Sequence, residues 1–226
     1  MSLSCATCPV RDRAACAVLS IEERDELARV GRTRKLSKGE TLFTAGESEA
    51  ACATLKSGAL KITSTDIDGR ERILSLVHPS GFIGEMFGPY MRHDVVALGE
   101  AELCVFSGPN FADAVDRYPR LGQALLRRTQ EDLFASRELL ALTGNASAEQ
   151  RVAGALLSLA RAASDSPCHP ATRFELPLSR GELADMLGIT IETVSRMLTR
   201  FEKDGAIKRT GKRGIDLIDP ALLPLS

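Results

Sequence analysis

Three cysteines stand within the first sixteen residues, Cys5, Cys8 and Cys16, separated by two and then seven residues. Three more are scattered, at Cys52, Cys104 and Cys168. Random placement rarely gathers half of six cysteines into one short arm. Outside a secretory context such thiols read as metal ligands, redox groups or buried side chains rather than as disulfides. A set of four thiolates holds a soft metal, and tetrahedral sulfur donors suit zinc or iron–sulfur chemistry. Zinc sites more often join Cys-x2-Cys to a second close pair, which is absent. A redox-active thiol set fits the arm as well.

A second constellation lies near the C-terminus. From Glu192 to Arg213 seven basic residues (Arg196, Arg200, Lys203, Lys208, Arg209, Lys212, Arg213) stand against three acidic ones (Glu192, Glu202, Asp204). The whole chain has a formal net charge of −1, so the positive charge is local. Phosphate recognition needs a basic patch of this kind rather than a basic whole.

The elements that must present this patch are legible. Ser179 with Glu182 forms a capping box, Leu183, Ala184 and Leu187 give a buried face, and Gly188 is a helix stop. Thr190 caps a second helix reaching about Lys203, with Val194, Met197, Leu198 and Phe201 on its inner side. Two short helices about a turn at Gly188 make a helix-turn-helix. The outer face of the second carries Glu192, Thr193, Ser195, Arg196 and Arg200, at the end that enters a major groove. Arginine reads a guanine edge with two hydrogen bonds, and glutamate accepts from cytosine N4. Residues 206–209 and 214–217 then flank a turn as a β-hairpin wing, with Lys208, Arg209, Lys212 and Arg213 placed to hold phosphates. A helix pair that binds protein is the competing reading, and the basic wing favours double-stranded DNA.

From about Leu36 to Phe106 short alternating strands are punctuated by turns at Ser37–Glu40, Asp68-Gly69 and His78–Gly81. That spacing predicts a jelly-roll-like antiparallel barrel. After Pro109 the period changes, and 116–142 reads as one long helix. Leu126, Thr129, Leu133, Ser136, Leu140 and Thr143 recur at steps of three and four, a heptad seam with polar members. Leu121, Leu125, Leu139 and Leu142 lie on other faces and are expected to pack on the barrel. A helix with two apolar faces needs two partners, its own domain and a second copy of the chain. Ser147 and Gln150 open a further helix to about Ala163, followed by a polar, proline-bearing loop over Ser164–Thr172. The expected fold is α+β: an arm over 1–20, a β-barrel sensor domain over 21–115, a dimerisation helix over 116–144 and a winged helix-turn-helix over 145–226.

The 226 residues, 44% hydrophobic and 26% charged, supply a core for two modest domains. No apolar run reaches the roughly 18–20 residues of a membrane span. Met1 to Val10 shows no basic patch followed by an apolar stretch, so no signal peptide and a cytoplasmic location are expected. No second cluster motif, glycine-rich nucleotide loop or nucleophile–base pair points to an enzyme or an electron-transfer protein.

On these residues the chain resembles the CRP/FNR family of bacterial regulators over nearly its full length. The strand-rich domain with Gly84-Glu85, the long helix and the stretch Leu187–Leu198 carry the resemblance. Glu192, Ser195 and Arg196 match the Glu-x-x-Ser-Arg pattern of the FNR branch, and Ser195 separates it from the cyclic-AMP branch. The resemblance implies a palindromic site with TTGAT and ATCAA halves. The cyclic-nucleotide branch has an Arg-Ser pair after the Gly-Glu segment, whereas Arg92 is followed by His93. The cysteines resemble instead the oxygen-sensing FNR proteins with seven residues between the second and third. That implies a [4Fe–4S] cluster on Cys5, Cys8, Cys16 and Cys104, with Cys52 a strand or core residue and Cys168 a loop thiol. A regulator of the same fold sensing haem, nitric oxide, thiol redox state or a small effector is the alternative. An intact cluster is expected to order the arm beside the dimer helix and favour pairing through Leu126, Leu133 and Leu140. Its charges, Arg127, Arg128, Glu131, Asp132, Arg137 and Glu138, are expected to keep that pairing marginal. Relatives often carry an acid on the seam where this chain has Ser136. Contact with RNA polymerase is implied around His78–Phe82 and near Ser164–Thr172.

Overall fold

The computed structural model describes residues 3–48, 51–86, 88–164 and 169–224. Cys168 lies outside the described residues, as does part of the 164–172 loop. The chain divides into two compact units, Met1–Phe134 and Ala135–Ser226.

In the first unit a turn-rich arm leads through a short 3-10 turn, Ala15–Val18, into helix α1, Ile21–Arg29. Ser20 caps α1 and Glu23 returns the bond, so two orphan backbone donors are satisfied. Eight strands follow: β1 Gly31–Leu36, β2 Thr41–Phe43, β3 Ala51–Ser57, β4 Leu60–Thr65, β5 Glu71–Val77, β6 Phe82–Gly84, β7 Asp94–Ala97 and β8 Ala101–Ser107. They form two antiparallel four-stranded sheets, ordered β1-β8-β3-β6 and β2-β7-β4-β5. This is the double-sheet arrangement expected from the strand spacing. Leu36, Leu55, Leu60, Val95 and Leu103 fill the space inside it. Gly84 sits at φ 126°, and a Cβ there would stand 2.3 Å from the carbonyl oxygen of Ala51. Only glycine lets β6 approach β3 this closely.

A second core lies on the other face of the β1-β8-β3-β6 sheet. Leu19, Leu27, Phe106, Phe111, Leu121 and Leu125 pack there, joined by the partly buried Leu3, Cys16 and Cys104. The helix expected from residue 116 is in fact two: α2, Gly108–Arg117, and α3, Pro119–Asn145. Tyr118 leaves the helical region (φ −121°, ψ 80°) because it precedes Pro119. Pro119 has no N–H to continue α2 but starts α3 without loss.

The division between units falls inside α3, within the stretch expected as a dimerisation helix over 116–144. Three of the four leucines expected on the barrel can be placed, and they divide. Leu121 and Leu125 are buried in the first unit. Leu142 instead closes over Gly154 of α4, Ala148–Ala162, where a Cβ would stand 2.6 Å from it. Beyond α4 come β9 Arg173–Glu175, α5 Arg180–Leu187, α6 Ile191–Lys203, β10 Ile207–Thr210 and β11 Gly214–Leu217. The sheet order β10-β11-β9 adds a third strand to the expected hairpin. Arg173 pins β9 to β11 by two bonds to Asp216, at 2.8 and 3.0 Å.

Candidate functional site

The arm is a run of turns. Cys8 N–H reaches Cys5 C=O at 3.4 Å, Arg11 N–H reaches Cys8 C=O at 3.2 Å, and Leu19 N–H reaches Cys16 C=O at 3.1 Å. Val10, Ala14 and Leu19 are buried and anchor it. Cys104 comes from β8, paired with Thr33 of β1 and Thr54 of β3. Side chains alternate along a strand, so Leu103 and Val105 face the sandwich interior while Cys104 faces the arm. The result is one pocket, open in part to solvent, whose wall contains Cys5, Cys8, Cys16 and Cys104. Leu3, Val10, Leu27, Phe106 and Phe111 supply its apolar surface, and Arg11 and Arg24 its charged one. Fifteen residues line it, and Cys52 is not among them. Cys52 is fully buried in β3 opposite Phe106, as a core residue.

The thiols feel one another. Burial, then the charge of Cys8, raises the pKa of Cys5. Burial, then Cys5 and Cys8, pushes Cys16 up to about 11. Burial pushes Cys104 up to about 12, opposed by Lys56 and aided by the three arm cysteines. Lys56 is itself bonded to Glu102. The five described cysteines are unbridged. Among the described residues no three His, Cys, Asp or Glu side chains converge as a single-ion site. The four cysteines belong to the wall of the one pocket.

Arg24 and Lys56 escaped the sequence reading. Arg24 was findable, because Ser20 and Glu23 have capping-box spacing and place it one turn into a helix. Lys56 had no such signal.

The second unit builds the other surface. Gly188 ends α5 in the left-handed region (φ 63°, ψ 40°), and Arg151 of α4 donates to the Leu187 carbonyl at 2.9 Å. Thr190 caps α6 through the N–H of Thr193 at 3.3 Å. Val194, Met197, Leu198 and Phe201 are buried, which turns Glu192, Thr193, Ser195, Arg196 and Arg200 outward. The helix N-terminus, first through the Glu192 N–H and then the Thr190 hydroxyl, holds the Glu192 carboxyl below its usual range.

The arginines differ in engagement. Arg196 is exposed and makes no hydrogen bond or ion pair among the described residues. Arg200 is tied to Glu149 at 2.9 Å and to Asp204 at 3.6 Å. Arg209 grips Glu202 at 2.8 and 2.5 Å, and Arg213 donates to the Pro177 carbonyl at 3.0 Å. Lys208 and Lys212 are the exposed cations of the wing. Arg180, absent from the sequence reading, stands beside the reading face with its guanidinium 3.4 Å from Ser195 Oγ.

On α3, Leu126, Leu133 and Leu140 are 62%, 47% and 70% exposed in the single chain. Phe134, unmarked in the sequence reading, is 63% exposed beside them. Thr129 and Thr143 return their hydroxyls to the carbonyls of Leu125 and Leu139, at 3.0 Å each. Ser136 lies on the same exposed face. The turn at His78–Phe82 is held against α3, with Arg128 donating to the buried Ser80 Oγ at 2.9 Å. Near Gly84-Glu85, the Glu85 carboxylate is taken by Arg92 at 3.2 Å.

Family models match a stretch of each unit. Residues 33–118 match the cyclic nucleotide-binding domain and residues 150–224 the Crp-like helix-turn-helix domain. The chain is 34% identical to the transcriptional activator protein FnrL of Cereibacter sphaeroides, over 97% of this chain and 90% of that one. It is 29% identical to the anaerobic regulatory protein of Haemophilus influenzae, over 93% and 83%. Among solved structures, FixK2 from Bradyrhizobium japonicum aligns with a TM-score of 0.75 and 26% identity, covering 85% of this chain and 96% of that one. The exposed recognition helix and its wing thus sit in a chain that belongs to the CRP/FNR family of DNA-binding transcriptional regulators.

Proposed function

We propose that this chain is an oxygen-responsive transcriptional activator, holding a [4Fe–4S] cluster on Cys5, Cys8, Cys16 and Cys104 and binding a TTGAT…ATCAA palindrome as a dimer. The observation that carries this reading is that four thiols from two distant parts of the chain line one pocket, while the buried Cys52 does not. A single zinc draws four sulfurs to about 2.3 Å of one point. A cluster sets each thiolate on its own iron, so it needs four cysteines around one cavity, and four line this pocket. The names of the relatives, a transcriptional activator and an anaerobic regulatory protein, point the same way.

When bound, the cluster supplies the oxygen-labile centre; the protein's own residues do the rest. The arm cysteines, drawn to Cys104, fix the arm on the outer face of the sheet. α1 follows the arm and is bonded across the α2–α3 junction, Glu23 to Arg120 and Glu26 to Tyr118 and Arg117. A second copy covers Leu126, Leu133 and Leu140, and the back-bonded threonines enter that interface without unmet donors. Only the dimer presents two α6 helices to adjacent major grooves, where Arg196 and Glu192 read bases. Lys208 and Lys212, with Arg200, Arg209 and Arg213 behind them, face phosphates. Activation also requires RNA polymerase as a partner.

The test is binding of anaerobically prepared protein to the palindrome, under argon and in air, beside a scrambled duplex. The proposal expects tight, specific binding under argon, lost in air and regained on reconstitution with iron and sulfide. Equal binding in air and argon would remove the oxygen response.

A further inference from the structure

We infer that Arg24 is the positioning residue of the cysteine pocket: its guanidinium fork fixes the segment carrying Cys16 and so sets how long a bound cluster is retained. The inference rests on the cluster reading above. Arg24 Nε donates to the Cys16 carbonyl at 3.1 Å and Nη2 to the Ala17 carbonyl at 2.8 Å. Its own carbonyl lies 3.9 Å from Cys5 Sγ. One residue therefore touches two of the arm's three ligand segments, through its side chain and through its backbone.

The fork works from a fixed base. α1 is closed at its start by the Ser20–Glu23 capping box and buried through Leu27. Glu23 and Glu26 bind it to Arg120, Arg117 and Tyr118. Arg24 is half-buried and has no carboxylate partner among the described residues. Its side chain lines the same pocket as the four cysteines. A planar fork with two donors in fixed geometry can hold two successive carbonyls; an ammonium cannot reproduce that pairing. With the fork removed, the 3-10 turn at Ala15–Val18 loses both anchors to α1. Cys16 is then the ligand most ready to depart.

The experiment uses the full chain prepared anaerobically, as wild type, Arg24→Gln and Arg24→Lys. The cluster's visible absorbance is followed under argon after adding an iron chelator. Hydrogen exchange over residues 5–19 is measured in the metal-free proteins, and thermal unfolding checks the barrel. Both variants should load the cluster and lose it about ten- to a hundredfold faster than wild type, the range for partners that orient metal ligands. Their metal-free arms should exchange faster while the barrel unfolds as before. Retention at the wild-type rate in both variants overturns the inference. Full rescue by Arg24→Lys also overturns it, by reducing the fork to a charge. A wild-type chain that takes up no iron defeats the cluster reading, and the retention inference with it. Normal wild-type loading with unchanged variants defeats the inference alone.

Discussion

Cys52 and Cys104 share a sheet and a face and differ in their company. Both sit in the β1-β8-β3-β6 sheet and turn to the face that packs against the helices. Cys52 meets Phe106, and burial alone pushes its thiol up to about 12. Cys104 meets Thr54 across the strands, and the three arm thiols and Lys56 bear on it. A residue's chemistry here follows from its strand register. The same holds in the second unit, where one helical turn separates engaged from available arginines. Arg200 spends its charge on Glu149 and Asp204, whereas Arg196 faces solvent. Arg196→Ala should therefore cost about 1–3 kcal/mol at the cognate site, the worth of a two-bond guanine contact. Binding to scrambled DNA should fall much less, as fluorescence anisotropy on the two duplexes would show. Equal losses on both would make Arg196 a phosphate contact.

At the scale of elements, the parts with strong local signals were legible. The capping boxes at Ser147 and Ser179, the stop at Gly188 and the cap at Thr190 each encode a helix end in two or three residues, and each is found where expected. The break at Tyr118–Pro119 was hidden, because proline reads equally as an early helix position and as a stop. β6 and β9 have three residues each, too short to show a period. Phe134 was missed because it stands beside the heptad positions rather than on them. The engagement of Arg209 and Arg213 could not be read either, since it depends on Glu202 and the Pro177 carbonyl being folded close by. The seam itself invites a direct test. Leu133→Glu should give a monomer that still binds a cluster, because the charge faces its own copy across a two-fold axis and lies apart from the ligands. Size-exclusion chromatography under argon measures this, and a persisting dimer would move the interface elsewhere on α3.

For the whole molecule, the account joins two units through a shared helix. The first gathers four thiols into a pocket and carries the exposed leucines Leu126 and Leu133; the second carries Leu140 and the reading helix. Under the proposed function, pairing of two copies of the chain along α3 would let chemistry at the arm alter DNA affinity. No described helix is long and apolar enough to cross a membrane. The central claim is that Cys5, Cys8, Cys16 and Cys104 together hold a [4Fe–4S] cluster. The most direct measurement is iron and acid-labile sulfide per chain in anaerobically prepared wild type, Cys104→Ser and Cys52→Ser. The account predicts about four of each in wild type and in Cys52→Ser, and most of both lost in Cys104→Ser, since a hydroxyl is a poorer iron ligand than a thiolate. Full iron and sulfide in Cys104→Ser, or zinc in place of iron in the wild type, would contradict it.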